Sequence, residues 1–176
     1  ALARASVPAG QRVAGSMAPL EDCYRPDLSP TDARAEHREL AQVLSAAGCD
    51  LLLCETFPHV GEGLVAVEEA VRTGVETWAA FTAGPDADLL SPGAIGRAGA
   101  QAAARGAAAV LVNCVPAARS LEYVRALVDH VGVPVGVYAN AGGPEEGMGW
   151  APAPKAPQRY LEFAQKWASA GATLIG

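Results

Sequence analysis

The chain has 176 residues, 51% of them hydrophobic and 18% charged, with a formal net charge of -6. That length supports one substantial core, and the acidic balance argues against a nucleic-acid or anionic-lipid surface. No apolar run reaches the roughly 18 residues a membrane span needs, and the first ten residues lack the apolar core of a secretory signal. Cys23, Cys49, Cys54 and Cys114 are widely spread with no C-x-x-C pair. They read as reduced thiols of a cytoplasmic protein rather than a disulfide framework.

Residues 11–16 are expected to form a short strand ending in Gly15-Ser16, and Pro19, Pro26 and Pro30 keep the following stretch irregular. A helix is expected to start at Pro30-Thr31-Asp32, capped by Ser29 or Thr31. His37, Leu40, Val43 and Leu44 share one face of it, and Gly48 ends it. Residues 49–56 form the next strand, apolar up to Glu55 and closed by Pro58. A helix over 61–72 follows, then a strand over 76–82. Ser91-Pro92 opens a further helix, with Ser91 as N-cap, that runs to Arg105. The run Val110-Leu111-Val112-Asn113-Cys114 reads as a buried strand whose last side chains emerge at one end of a sheet. Residues 116–130 form a helix with Leu121, Val124, Leu127 and Val128 inward. Residues 133–140 form a strand, 141–157 a Gly/Pro-rich loop, 160–170 a helix and 172–176 a last strand.

Strict βα alternation predicts a parallel sheet with helical crossovers, an α/β fold in one domain over 1–176. A doubly wound sheet and a (β/α)8 barrel both satisfy the alternation. Ser16, Glu55, Thr82, Cys114 and Asn140 all lie at carboxyl ends of strands. Only a closed barrel converges all of them on one mouth, so a TIM barrel with about six of its eight βα units in this chain is expected.

There is no Gly-x-Gly-x-x-Gly after a strand and no P-loop. Gly142-Gly143-Pro144 reads as a turn. The only lysines, Lys155 and Lys166, fall in a loop and a helix, which argues against Schiff-base chemistry. His37 and His130 are expected at the surface or a helix end, and His59 at the rim of the mouth. Glu55 admits two readings, a salt bridge capping the barrel or a carboxylate for an ammonium group. Cys114 is a small core residue or a functional thiol. In a regular strand Asn113 and Cys114 point to opposite faces. Cys49 and Cys54 are expected in the core, and Cys23 in a loop over the mouth.

Several strings, in order, resemble the homocysteine S-methyltransferase family. They are Val13-Ala14-Gly15-Ser16, then Ala47 to Pro58 (AGCDLLLCETFP), Val112-Asn113-Cys114, Val137-Tyr138-Ala139-Asn140 and Ala170 to Gly176 (AGATLIG). The resemblance implies a zinc-dependent barrel enzyme that moves a methyl group from an onium or related donor to homocysteine, giving methionine. It implies Cys114 as one of three zinc-binding thiolates, with no catalytic residue needed beyond the metal. Glu55, Asn113, Asn140, Thr56 and Ser16 are implied as substrate-binding residues. It places the six strands at barrel positions three to eight. The first two strands, and a Gly-Gly-Cys-Cys-Gly motif with the other two zinc ligands, are then expected before Ala1 and beyond Gly176. The implied partners are homocysteine and a methyl donor, with no nucleic acid or membrane; the sequence leaves a homo-oligomer open. Two rival readings also stay open, a metal-free barrel lyase and a non-catalytic barrel serving as a binding or oligomerisation module.

Overall fold

The structure is a computed structural model that describes residues 2–141 and 154–176. A five-residue helix, α1 (Leu2–Ser6), precedes β1 (Ala14–Met17). Then follow α2 (Arg34–Ala46), β2 (Leu51–Phe57), α3 (Val60–Val71), β3 (Thr77–Phe81) and α4 (Pro92–Ala104). The chain continues with β4 (Ala109–Pro116), α5 (Ala117–His130), β5 (Val135–Asn140), α6 (Ala156–Ser169) and β6 (Leu174–Ile175). All six strands pair in parallel, in the order β1-β2-β3-β4-β5-β6.

That order decides between the two expected architectures. A doubly wound sheet reverses direction at a switch point; here each strand is laid beside its predecessor on the same side, as in a barrel wall. The two faces differ accordingly. Leu52, Cys54, Val110, Val112, Val135 and Val137 pack outward against the helices. Leu53, Trp78, Ala80, Ala109, Leu111, Tyr138 and Leu174 form a separate inner cluster. Their concave side encloses about 500 Å³, lined by Leu51, Leu53, Trp78, Leu111 and Tyr138 among others. Gly136 lets this inner layer close. A Cβ there would stand 2.5 Å from Leu111 Cδ2 and 2.6 Å from its Cγ, below any van der Waals contact.

The helices are stitched by charge. Arg34 of α2 pairs with Glu68 of α3 at 2.7 Å and also with Glu69, and Arg38 reaches Glu69 at 2.9 Å. Arg105, at the end of α4, reaches Glu68 at 2.9 Å. Hydrogen bonds from Arg34 and Arg105 hold the Glu68 carboxyl below the usual range. Burial would raise that of Glu69, but the Arg38 and Arg34 guanidiniums outweigh it and the net shift is also downward.

Several local expectations are corrected. The helix expected from Pro30 begins at Arg34, with Ala33 at the N-cap and no side-chain cap. The Ser29 hydroxyl is instead given to the Glu62 carboxylate at 2.7 Å, a charge-assisted bond stronger than a cap. His37 is fully buried rather than superficial, with its ring edge-on to Phe57. Val43 and Val128 turn outward, at 57% and 38% exposure, while Ala41 and Tyr123 take the buried positions. The last helix starts at Ala156, earlier than Tyr160, with proline in its first turn. The Gly142-Gly143-Pro144 turn lies outside the described residues.

Candidate active site

Thr56 and Cys114 both adopt a left-handed backbone, with φ of 64° and 52°. For a β-branched threonine this costs about 1–3 kcal/mol and survives only where the surroundings enforce it. Each coincides with a break in strand register, between Cys54 and Phe57 on β2 and between Asn113 and Pro116 on β4. These bulges abolish the alternation that would separate Asn113 from Cys114. The expectation of opposite faces is therefore corrected: Asn113 Nδ2 lies 3.3 Å from Cys114 Sγ.

Asn113 is fully buried and ties the two bulges together. Its Nδ2 donates to Thr56 Oγ1 at 2.7 Å, and its Oδ1 accepts the Thr56 N–H at 3.2 Å. Thr56 Oγ1 stands 3.7 Å from Cys114 Sγ. Thr82, just past β3, donates its hydroxyl to the Cys114 carbonyl at 3.2 Å and accepts the Gly84 N–H at 3.0 Å. Cys114 is thus braced from β2, from the end of β3 and from its own strand, with its side chain partly buried at the carboxyl-end mouth.

Glu55 is half-buried on the inner face of β2 and accepts the Tyr138 hydroxyl at 2.6 Å. Burial, the bond to Glu55 and the nearby Cys114 thiol all hold the Tyr138 phenol far above its ordinary range. Tyr138 therefore remains a donor at any working pH. The loop after β1 carries Cys23 and Tyr24 over the same mouth. Tyr24 lies beside the Cys114 thiol and the Asn140 side chain. Burial first, then the Cys114 and Cys23 thiols, raise its phenol, while the neighbouring Asn140 side chain partly offsets this. Cys23 is raised by its own burial, by Asp22 and by Cys114.

The structure thus brings together Cys114, Asn113, Thr56 and Asn140, with Glu55 held beside them through Tyr138. Ser16 is exposed on the inner face of the edge strand β1, in register with Leu53, apart from this bonded group. Cys54 is in the core, where burial pushes its thiol up to about 12. His59 caps α3, its Nδ1 accepting the Glu62 N–H at 3.2 Å. Sequence reasoning missed Tyr24 and Tyr138. Tyr24 follows a strand's carboxyl end in a proline-rich loop, where barrels place functional residues. Tyr138 lies two residues before Asn140, on the same face.

Cys114 is the thiol that the sequence resemblance implies as a zinc ligand. Its partly buried sulfur has the Asn113 amide at 3.3 Å and the Thr56 hydroxyl at 3.7 Å. Among the described residues, however, no group of three or more His, Cys, Asp or Glu side chains could hold a metal ion. The described residues by themselves do not form a tetrahedral site.

The family model for homocysteine S-methyltransferase matches residues 1–176. Homocysteine S-methyltransferase of Escherichia coli (strain K12) is 31% identical over 182 residues, covering 93% of this chain and 57% of that protein. The metallated form of the homocysteine methyltransferase MmuM from Escherichia coli superposes with a TM-score of 0.72 at 25% identity, covering 99% of this chain and 59% of that one. A putative phosphonomutase from Burkholderia cenocepacia shares the fold alone, with a TM-score of 0.59 at 13% identity over 93% of this chain and 69% of that one. This chain spans between half and two thirds of the length of its methyltransferase relatives. It belongs to the homocysteine S-methyltransferase family.

Proposed function

We propose that the protein containing this chain transfers a methyl group from an onium or related donor to the sulfur of homocysteine, giving methionine. The observation that carries this reading is the braced thiol of Cys114 sharing one barrel mouth with the Glu55 carboxylate. An amino-acid thiol substrate needs both, a place for its sulfur and an anion for its ammonium group.

Zinc is part of the reading. Cys114 is one of its ligands, and the remaining cysteines come from protein outside this sequence. Bound zinc would keep the substrate sulfur deprotonated and nucleophilic, where a free thiol near pKa 8.5 is mostly protonated at neutral pH. The chain's own residues do the rest. Asn113 fixes the Cys114 rotamer and, with Thr56 and Thr82, locks the strained backbone beneath it. Glu55 takes the substrate ammonium, and Tyr138 aims its carboxylate. Asn140 and Tyr24 form the wall over the thiol, and Ser16 lines the rim. In this division of labour no general base is required. The four free cysteines suit a reducing compartment, which we take to be the cytoplasm.

The test is methyl transfer by the full-length protein to homocysteine, with S-methylmethionine, S-adenosylmethionine, a betaine and a methyl-folate offered in turn. Methionine is expected from at least one onium donor. No methionine from any of the four would overturn the reading.

A further inference from the structure

A second carboxylate, Glu62, takes no part in the chemistry above, yet it is one of the most buried acids among the described residues, with its side chain 2% exposed. It sits in the first turn of α3, outside the barrel mouth. Such a group is costly unless its oxygens are satisfied. Its partners come from the two ends of one loop and from the helix that follows it. Oε1 accepts the Leu20 N–H at 2.8 Å and faces His37 Nε2 at 3.2 Å. Oε2 accepts the Ser29 hydroxyl at 2.7 Å, and that hydroxyl lies 3.0 Å from His59 Nδ1.

Between Leu20 and Ser29 the chain has one short turn, Pro26–Leu28, and local bonds such as Tyr24 N–H to Asp22 Oδ1 at 2.8 Å. These bonds are internal to the segment. The segment carries Tyr24, whose side chain lies beside Cys114 and Asn140. Without an anchor, a loop of this length would sample many conformations, and Tyr24 would leave the thiol.

We propose that Glu62 is a positioning residue: by binding both ends of the loop after β1 with one buried carboxylate, it sets Tyr24 over the Cys114 thiol. The inference deepens the reading of Cys114 as a zinc-binding thiol of the homocysteine site and rests on it for its kinetic arm only. Glu62 acts through Tyr24 and touches no substrate.

In the full-length protein, Glu62→Ala should speed amide exchange across residues 18–30 by about tenfold or more, as expected for losing a buried charge-assisted hydrogen bond. Exchange in β2 and β4 should stay unchanged. Tyr24→Phe should leave loop exchange alone and lower kcat/KM for homocysteine. The double variant should be no worse than the poorer single one, because both changes break the same contact. Losses that multiply in the double variant overturn the proposal, as does unchanged loop exchange in Glu62→Ala. Should Glu62→Ala fail to fold, Glu62→Gln carries the same readouts, since its carbonyl still accepts the Leu20 N–H while the Ser29 acceptor is lost. If the wild type makes no methionine, the functional reading fails and the clamp is judged separately. Alkylation of Cys114 then rises in both Glu62→Ala and Tyr24→Phe if the clamp is real, and stays level if it is not.

Discussion

Glu55 and Tyr138 form the most direct test at the scale of single residues. The 2.6 Å bond between them orients a carboxylate that would otherwise rotate in a half-buried pocket. Tyr138→Phe removes the donor and keeps the ring packed among Leu53, Leu111 and Leu174. The homocysteine KM is expected to rise about tenfold, the worth of one hydrogen bond to a charged group, with kcat little changed. A steady-state titration of homocysteine checks this, and an unchanged KM would separate Glu55 from substrate binding. Glu55 and Cys114 were legible in the sequence because each ends an apolar strand, where a polar side chain has little other reason to be. The company they keep was not. The facing of Asn113 depends on the left-handed backbone at Cys114, and no local pattern announces a bulge when the residue is not glycine. Tyr24 reaches the thiol through a loop whose path is fixed 38 residues later in the chain, by Glu62.

At the scale of elements, the α2–α3–α4 stitch gives the fold a pH dependence with a definite sign. Glu68 and Glu69 are held below the ordinary carboxyl range in the folded chain. Their contribution is therefore fully present above the unfolded glutamate value, near 4.3, and is lost as pH falls through the lower folded values. Arg34→Met should lower the urea midpoint at pH 7, and the difference from wild type should shrink as pH drops below about 4. A gap that persists unchanged in acid would show that Arg34 contributes through packing alone. Element order and type were readable from hydrophobic period and from Gly and Pro punctuation, and Ser91 caps its helix as expected, accepting the Ala94 N–H at 3.3 Å. The start of α2 was not readable. Ser29 has the chemistry of an N-cap, but its hydroxyl goes to a buried carboxylate distant in sequence. His37 looks like a surface residue until Glu62 supplies its buried partner.

At the scale of the whole molecule, the sequential parallel order lays six βα units along one curved wall, with the chemistry-bearing strand ends gathered at one rim. Alternation alone left two architectures open; the polar strand ends favoured the barrel, and the strand order bears that out. To the proposed zinc site this chain contributes Cys114, and the described residues alone hold no metal-binding group. The most direct measurement is therefore the zinc content of the full-length protein and of its Cys114→Ala variant, read beside methyl transfer to homocysteine. The account predicts about one zinc per wild-type chain, with both zinc and methyl transfer lost in the variant. A Cys114→Ala protein that keeps its zinc and still makes methionine would contradict it.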